Sequence, residues 1–68
     1  MRSVGYESKS KILEIEFQSG AVYRYLEVPK RVHEGLRRAE SKGQYFNGEI
    51  RDEYAFVRVG ARRRAASG

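Results

Sequence analysis

At 68 residues, with a net charge of +5 and 40% hydrophobic residues, the chain makes one small domain with little apolar surface left over for a deep pocket. A domain of this size buries only about 60% of the surface its unfolded form exposes. The chain has no cysteine, which excludes disulfide staples, thiolate zinc sites and thiol nucleophiles. No run approaches the roughly 18 apolar residues of a membrane span, and the first residues lack the apolar stretch of a signal peptide. A soluble, cytoplasmic domain with no membrane partner is therefore expected.

The charge is unevenly placed. Residues 60–68 hold Arg62, Arg63 and Arg64 and no acid, whereas residues 1–59 hold eleven basic and nine acidic residues, a net charge of +2. A body so balanced has a mixed, solvated surface. An argument for a nucleic-acid partner must rest on where the cations sit.

In chain order, residues 3–8 alternate weakly, with Val4 and Tyr6 on one side, and read as a short edge strand that Gly5 weakens. Over residues 11–17, Leu13, Ile15 and Phe17 point one way and Glu14 and Glu16 the other, the period of a half-buried strand. Gln18-Ser19-Gly20 has the form of a three-residue hairpin loop, a type I turn followed by glycine in the left-handed region. With that loop Phe17 faces Ala21, Ile15 faces Tyr23 and Leu13 faces Tyr25, so both tyrosines join the apolar face. A two-residue turn would instead bury Arg24, at a cost of several kcal/mol if unpaired, and the three-residue loop is preferred. Arg24 then lies on the solvent face between Glu14 and Glu16.

Val28-Pro29 closes the strand and opens a helix, with proline at its first position. Over residues 30–40, Val32, Leu36 and Ala39 form one narrow apolar stripe. Gly35 beside it costs on the order of 1 kcal/mol relative to alanine, which points to close packing of that backbone. The opposite face carries Lys30, Arg31, Glu34, Arg37 and Arg38, with Glu34 and Arg38 spaced for an ion pair. Ser41 has the chemistry to cap a second, short helix through Tyr45, Phe46, Glu49 and Ile50. Asn47-Gly48 inside it leaves an irregular turn equally open. Residues 54–59 return to strand composition, with Tyr54, Phe56 and Arg58 on one side. The expected architecture is α+β: a small three- to four-stranded antiparallel sheet with one clear helix and a second, short one on one face. The domain is expected over residues 1–59, with residues 60–68 as a flexible basic tail.

The spacing of Phe17, Gly20, Tyr23 and Tyr25, the pair Val28-Pro29, and Ser41-Lys42-Gly43 followed by Tyr45-Phe46-Asn47 and Ile50-Arg51 resemble the KTSC family. That family is named for a domain of about sixty residues at the C-terminus of some lysyl-tRNA synthetases, also found as a free-standing bacterial protein. The resemblance covers roughly residues 4–54 and implies RNA binding, through the association with a tRNA synthetase. It does not reach the arginine triplet.

The residues themselves argue against catalysis. His33 is the only histidine and stands on a helix without a second imidazole or carboxylate at metal-binding spacing. No phosphate loop or nucleophile elbow is present. No enzyme activity, cofactor or metal is expected. For RNA, aromatic rings offer stacking surfaces and arginines pair phosphates. Because the hairpin register assigns Tyr23 and Tyr25 to the apolar face, and Phe46 and Ile50 read as core, the expected contacts are Arg37, Arg38, Lys42, Tyr45 and Arg51. Arg62, Arg63 and Arg64 are added as phosphate clamps, and the polar Asn47 lies in the same turn. The ligand would be tRNA or another structured RNA. The alternative is a protein-interaction or dimerisation module using the exposed sheet edge at residues 3–8.

Overall fold

The computed structural model describes residues 1–61. Four strands, β1 (Ser3–Glu7), β2 (Ile12–Glu16), β3 (Ala21–Tyr25) and β4 (Phe56–Ala61), form one antiparallel sheet in the order β1-β2-β3-β4. Between β3 and β4 the chain forms α1 (Lys30–Arg38), α2 (Lys42–Tyr45) and a wide π-helical turn (Phe46–Ile50). Buried side chains from these helical segments join the apolar face of the sheet in one core: Leu13, Ile15 and Tyr25 from strands, Val28, Val32, Leu36, Phe46 and Ile50 from the helical layer and its entry. The α+β architecture is as expected.

The hairpin has the expected register. Phe17 N–H donates to the Ala21 carbonyl at 2.9 Å and Gly20 N–H to the Phe17 carbonyl at 2.9 Å, and Gly20 has φ 95°, which only glycine adopts without steric cost. Leu13 pairs with Tyr25 and Ile15 with Tyr23. On the other face Arg24 Nε meets Glu14 Oε1 at 2.9 Å, an exposed pair that contributes at most about 1 kcal/mol.

Tyr6 ties the edge strand to the helical layer, its hydroxyl donating to the Val28 carbonyl at 2.6 Å. Pro29 is the N-cap rather than the first helical residue, extended at φ −66° and ψ 152°, and Val32 N–H returns to its carbonyl at 3.0 Å. The spacing of Glu34 and Arg38 suits an ion pair, but the ion pairs among the described residues are Arg2–Glu16 and Arg24–Glu14. Arg38 is exposed and Glu34 partly buried.

The last strand starts later and runs further than its composition suggests. Phe56 opens it and Ala61 ends it, two residues past the boundary expected at 59. Val22 pairs with Gly60 and Tyr23 with Arg58, so Val59 is an unmatched bulge residue, and Gly60 at φ 99° completes the irregularity. Arg62, Arg63 and Arg64, and the tail assigned to residues 60–68 beyond Ala61, lie outside the described residues.

Candidate nucleic-acid interface

The cations at the end of α1 and the start of α2 converge on one corner. α1 closes with Arg37 and Arg38 in its last turn, where positive charge is favoured by the partial negative charge of the helix C-terminus. Ser41 Oγ accepts from Gln44 N–H at 3.2 Å and starts α2. This brings Lys42 back against the end of α1, its Nζ donating to the Arg37 carbonyl at 3.3 Å. Arg37, Arg38 and Lys42 are all exposed, and none is ion-paired to a described carboxylate. Tyr45, from the same turn, is half-buried and packs on the core. Its ring lies on Gly35: a Cβ at that position would sit 2.7 Å from Tyr45 Cζ and closer still to the hydroxyl. The missing side chain of Gly35 is what lets α1 and α2 close on one another.

The π turn performs two tasks at once. Arg51 N–H donates to the Phe46 carbonyl at 2.9 Å, five residues back, so Asn47-Gly48 widens the helix instead of ending it. Phe46 and Ile50 face inward and are buried, while Asn47 and Arg51 are exposed. Together with Gly43 they line one wall of an open groove of about 700 Å³. The other wall is the β3–β4 end of the sheet. Five rings line the groove in unbroken contact: Phe17 against Tyr23 (5.6 Å between centroids) and Phe46 (5.5 Å), Tyr25 against Phe46 (5.5 Å) and Phe56 (5.3 Å), and Tyr23 against Phe56 (5.4 Å). Tyr25 is 4% exposed and Phe56 50%, so the buried floor rises to an open lip. The Arg58 guanidinium lies 6.0 Å from the Tyr23 ring centroid, within cation–π range. Burial raises the Tyr25 hydroxyl pKa, Tyr23 adding to the effect; the charge of Arg51 opposes it and that of Asp52 reinforces it.

The structure thus separates the expected contacts. Arg37, Arg38 and Lys42 share the corner, Arg51 stands at the groove, and Tyr45 is held by packing on Gly35. Tyr23 and Phe56 enter the site from the sheet. The alternation of Phe56 and Arg58 on one face of the last strand was the available signal, and Tyr23 is the cross-strand partner of Arg58.

His33 takes no part in this surface. It stacks on Tyr6, ring centroids 4.8 Å apart and 14° from parallel, and its pKa is lowered, first by burial and then by Arg37 and Lys30, with Glu34 opposing. A folded-state pKa below the unfolded value means that the unfolded chain binds the proton more readily, so stability is complete above about pH 6.5 and falls as pH drops through the folded pKa. The melting temperature is expected to decline from about pH 7.5 to about pH 5.5 and to decline less in His33→Gln. Equal declines in both proteins would remove His33 as the cause. Among the described residues, no three His, Asp or Glu side chains are grouped to hold a metal, and no helix is long and apolar enough to cross a membrane.

The family model of the KTSC domain matches residues 1–54. A crystal structure of a KTSC domain protein from Yersinia pestis superposes with a TM-score of 0.83 at 38% identity, over 85% of this chain and 82% of that one. An uncharacterized protein of Stutzerimonas stutzeri is 44% identical over 60 residues, 87% of this chain and 84% of its own. A lysine–tRNA ligase of Nostoc punctiforme is 46% identical over 59 residues, 87% of this chain but 10% of the ligase. The chain therefore spans about a tenth of the length of that ligase.

Proposed function

The chain belongs to the KTSC domain family, and from that membership we propose that it is a small, non-catalytic, cytoplasmic module that binds RNA through the corner formed by Arg37, Arg38 and Lys42 and the adjoining turn over residues 41–47. The observation that carries this reading is the set of exposed cations at Arg37, Arg38, Lys42 and Arg51, none spent on an ion pair with a described carboxylate. Glu34 and Glu40 lie on the same stretch and keep the corner from being a purely positive field. The counterpart region in Nostoc punctiforme is part of a lysine–tRNA ligase, a setting in which RNA is at hand, and this supports tRNA or another structured RNA as ligand.

The test is binding of tRNA and of short RNAs by fluorescence anisotropy across a salt series. Affinity should fall steeply between about 50 and 200 mM salt, because each phosphate contact releases counterions. In Arg37→Ala/Arg38→Ala, binding should weaken with the melting curve unchanged. The salt slope should become shallower by about 0.7 to 0.9 for each phosphate that the variant no longer neutralises. A double variant that binds as tightly as the parent at low salt refutes the corner.

A second reading, self-association through a sheet edge, is favoured by one observation. Among the described residues the two edge strands are β1, the edge expected at residues 3–8, and β4, and β4 exposes Phe56, Val57 and Val59 at 50%, 47% and 44%, where an apolar edge invites strand addition. Such a dimer would be nearly insensitive to salt, which separates it from the RNA reading in the same titration.

A further inference from the structure

The geometry points to the aromatic groove between β3–β4 and the π turn as a seat for unstacked bases of single-stranded RNA, with Phe56 and Tyr23 as stacking surfaces and Arg51 and Arg58 as phosphate or stacking partners. This rests on the RNA reading above and names the part of the ligand that the cationic corner cannot recognise.

Four features of the groove support a base as its occupant. The first is the continuity of the rings: five aromatic side chains meet at centroid distances of 5.3 to 5.6 Å, and the outermost, Phe56, is half exposed. Tyr25 and Phe46 are the buried floor of this set, and Phe56, with the half-buried Tyr23 and Phe17, presents its open ring surface beside polar groups. A planar, weakly polar ligand matches it best, since each base presents a π-face for stacking. The second is charge. Arg51 lines the groove and Arg58 lies over Tyr23, against the single acid Asp52 on the lining. Two cations suit a phosphodiester, and a carboxylate beside them repels a phosphate but accepts from an exocyclic base amine. The third is Asn47, whose amide both donates and accepts and stands exposed on the same wall, as hydrogen bonding to a base edge requires. The fourth is size: about 700 Å³ falls among small-ligand sites and admits nucleotides, whereas the bases of an A-form duplex are stacked and unavailable.

The corner and the groove adjoin along the chain, because Lys42 of the corner precedes Gly43 of the groove lining. A single strand held at the corner by its phosphates would enter the groove past Asn47 and Arg51.

The experiment compares a labelled single-stranded RNA hexamer with an RNA duplex of the same length, at about 50 mM salt, for the parent, Phe56→Ala, Phe56→Tyr and Arg37→Ala/Arg38→Ala. Melting curves establish that each variant is folded. Phe56→Ala is expected to weaken single-strand binding roughly 5- to 150-fold, the effect of losing one stacked base, and to leave duplex binding unchanged. Phe56→Tyr should bind single strands like the parent, while the double arginine variant should weaken both ligands. Unchanged single-strand binding in Phe56→Ala, with loss in the arginine variant, overturns the groove and leaves the corner standing. Equal losses on single strand and duplex also overturn it. So does a Phe56→Ala that abolishes concentration-dependent self-association without affecting RNA, which would assign the surface to a second copy. A parent that binds neither RNA overturns the groove and the corner together.

Discussion

Tyr25→Ala is expected to cost about 3–5 kcal/mol of stability, the range for a truncated buried aromatic ring. For a chain of this length the whole folding free energy is only about 3–10 kcal/mol, so the variant should be largely unfolded at ambient temperature or melt far below the parent. The reason is Tyr25's position. It pairs with Leu13 across the hairpin and with Phe56 across the last strand, and it meets Phe46 edge-on at 5.5 Å and 81°, linking three strands to the π turn. Tyr25→Phe keeps those ring contacts and should stay within about 1 kcal/mol of the parent. Thermal and urea unfolding of the two variants checks both statements, and a parent-like melting curve for Tyr25→Ala would show that the ring carries no packing.

Ile50→Ala is expected to cost about 2–5 kcal/mol, whereas Asn47→Ala, on the same turn, should stay within about 0.5 kcal/mol of the parent. Ile50 is fully buried at the last position of the π turn, and Phe46 is buried at its first. These two side chains hold the turn on the sheet while Asn47 and Arg51 remain exposed. At roughly 4–8 °C per kcal/mol for a domain of this size, the two variants should separate clearly in one thermal melt. Similar melting temperatures would mean that the turn is not anchored through Ile50, and the wall of the groove would lose its support.

The contrast also marks how far the fold could be read from its residues. The hairpin was legible because one steric and one electrostatic constraint agreed: Gly20 at the left-handed position and Arg24 kept out of the core select one register, and that register sets Tyr23 opposite Ile15 and Tyr25 opposite Leu13. The capped start of α2 at Ser41 was legible for a similarly local reason. What period-2 patterning does not carry is how much of a sheet face the helices cover. Tyr23 and Tyr25 share a face, yet Tyr25 is buried and Tyr23 only half-buried, so the conspicuous Tyr-Arg-Tyr motif supplies both core and groove. Tyr45 stood among polar and glycine neighbours with the look of an exposed turn residue. Gly35 announced a close approach in that region, but only the tertiary arrangement identifies the Tyr45 ring as its partner. The π turn and the bulge at Val59 were hidden because each adds one residue to a regular element, a change no hydrophobic period distinguishes from a loop.

The proposed RNA surface combines the Arg37–Arg38–Lys42 corner with the aromatic groove, which Lys42 joins along the chain through Gly43 and on which Asn47 and Arg51 stand. Its most direct test is a titration of the isotopically labelled protein with single-stranded RNA, following every backbone amide by NMR. The predicted result is a contiguous set of shifts at Arg37, Arg38, Lys42, Asn47, Arg51, Tyr23 and Phe56, reduced by salt, with β1 and the Glu14–Arg24 face unmoved. Shifts confined to β1 or to that outer face, or none at all at low salt, would contradict it.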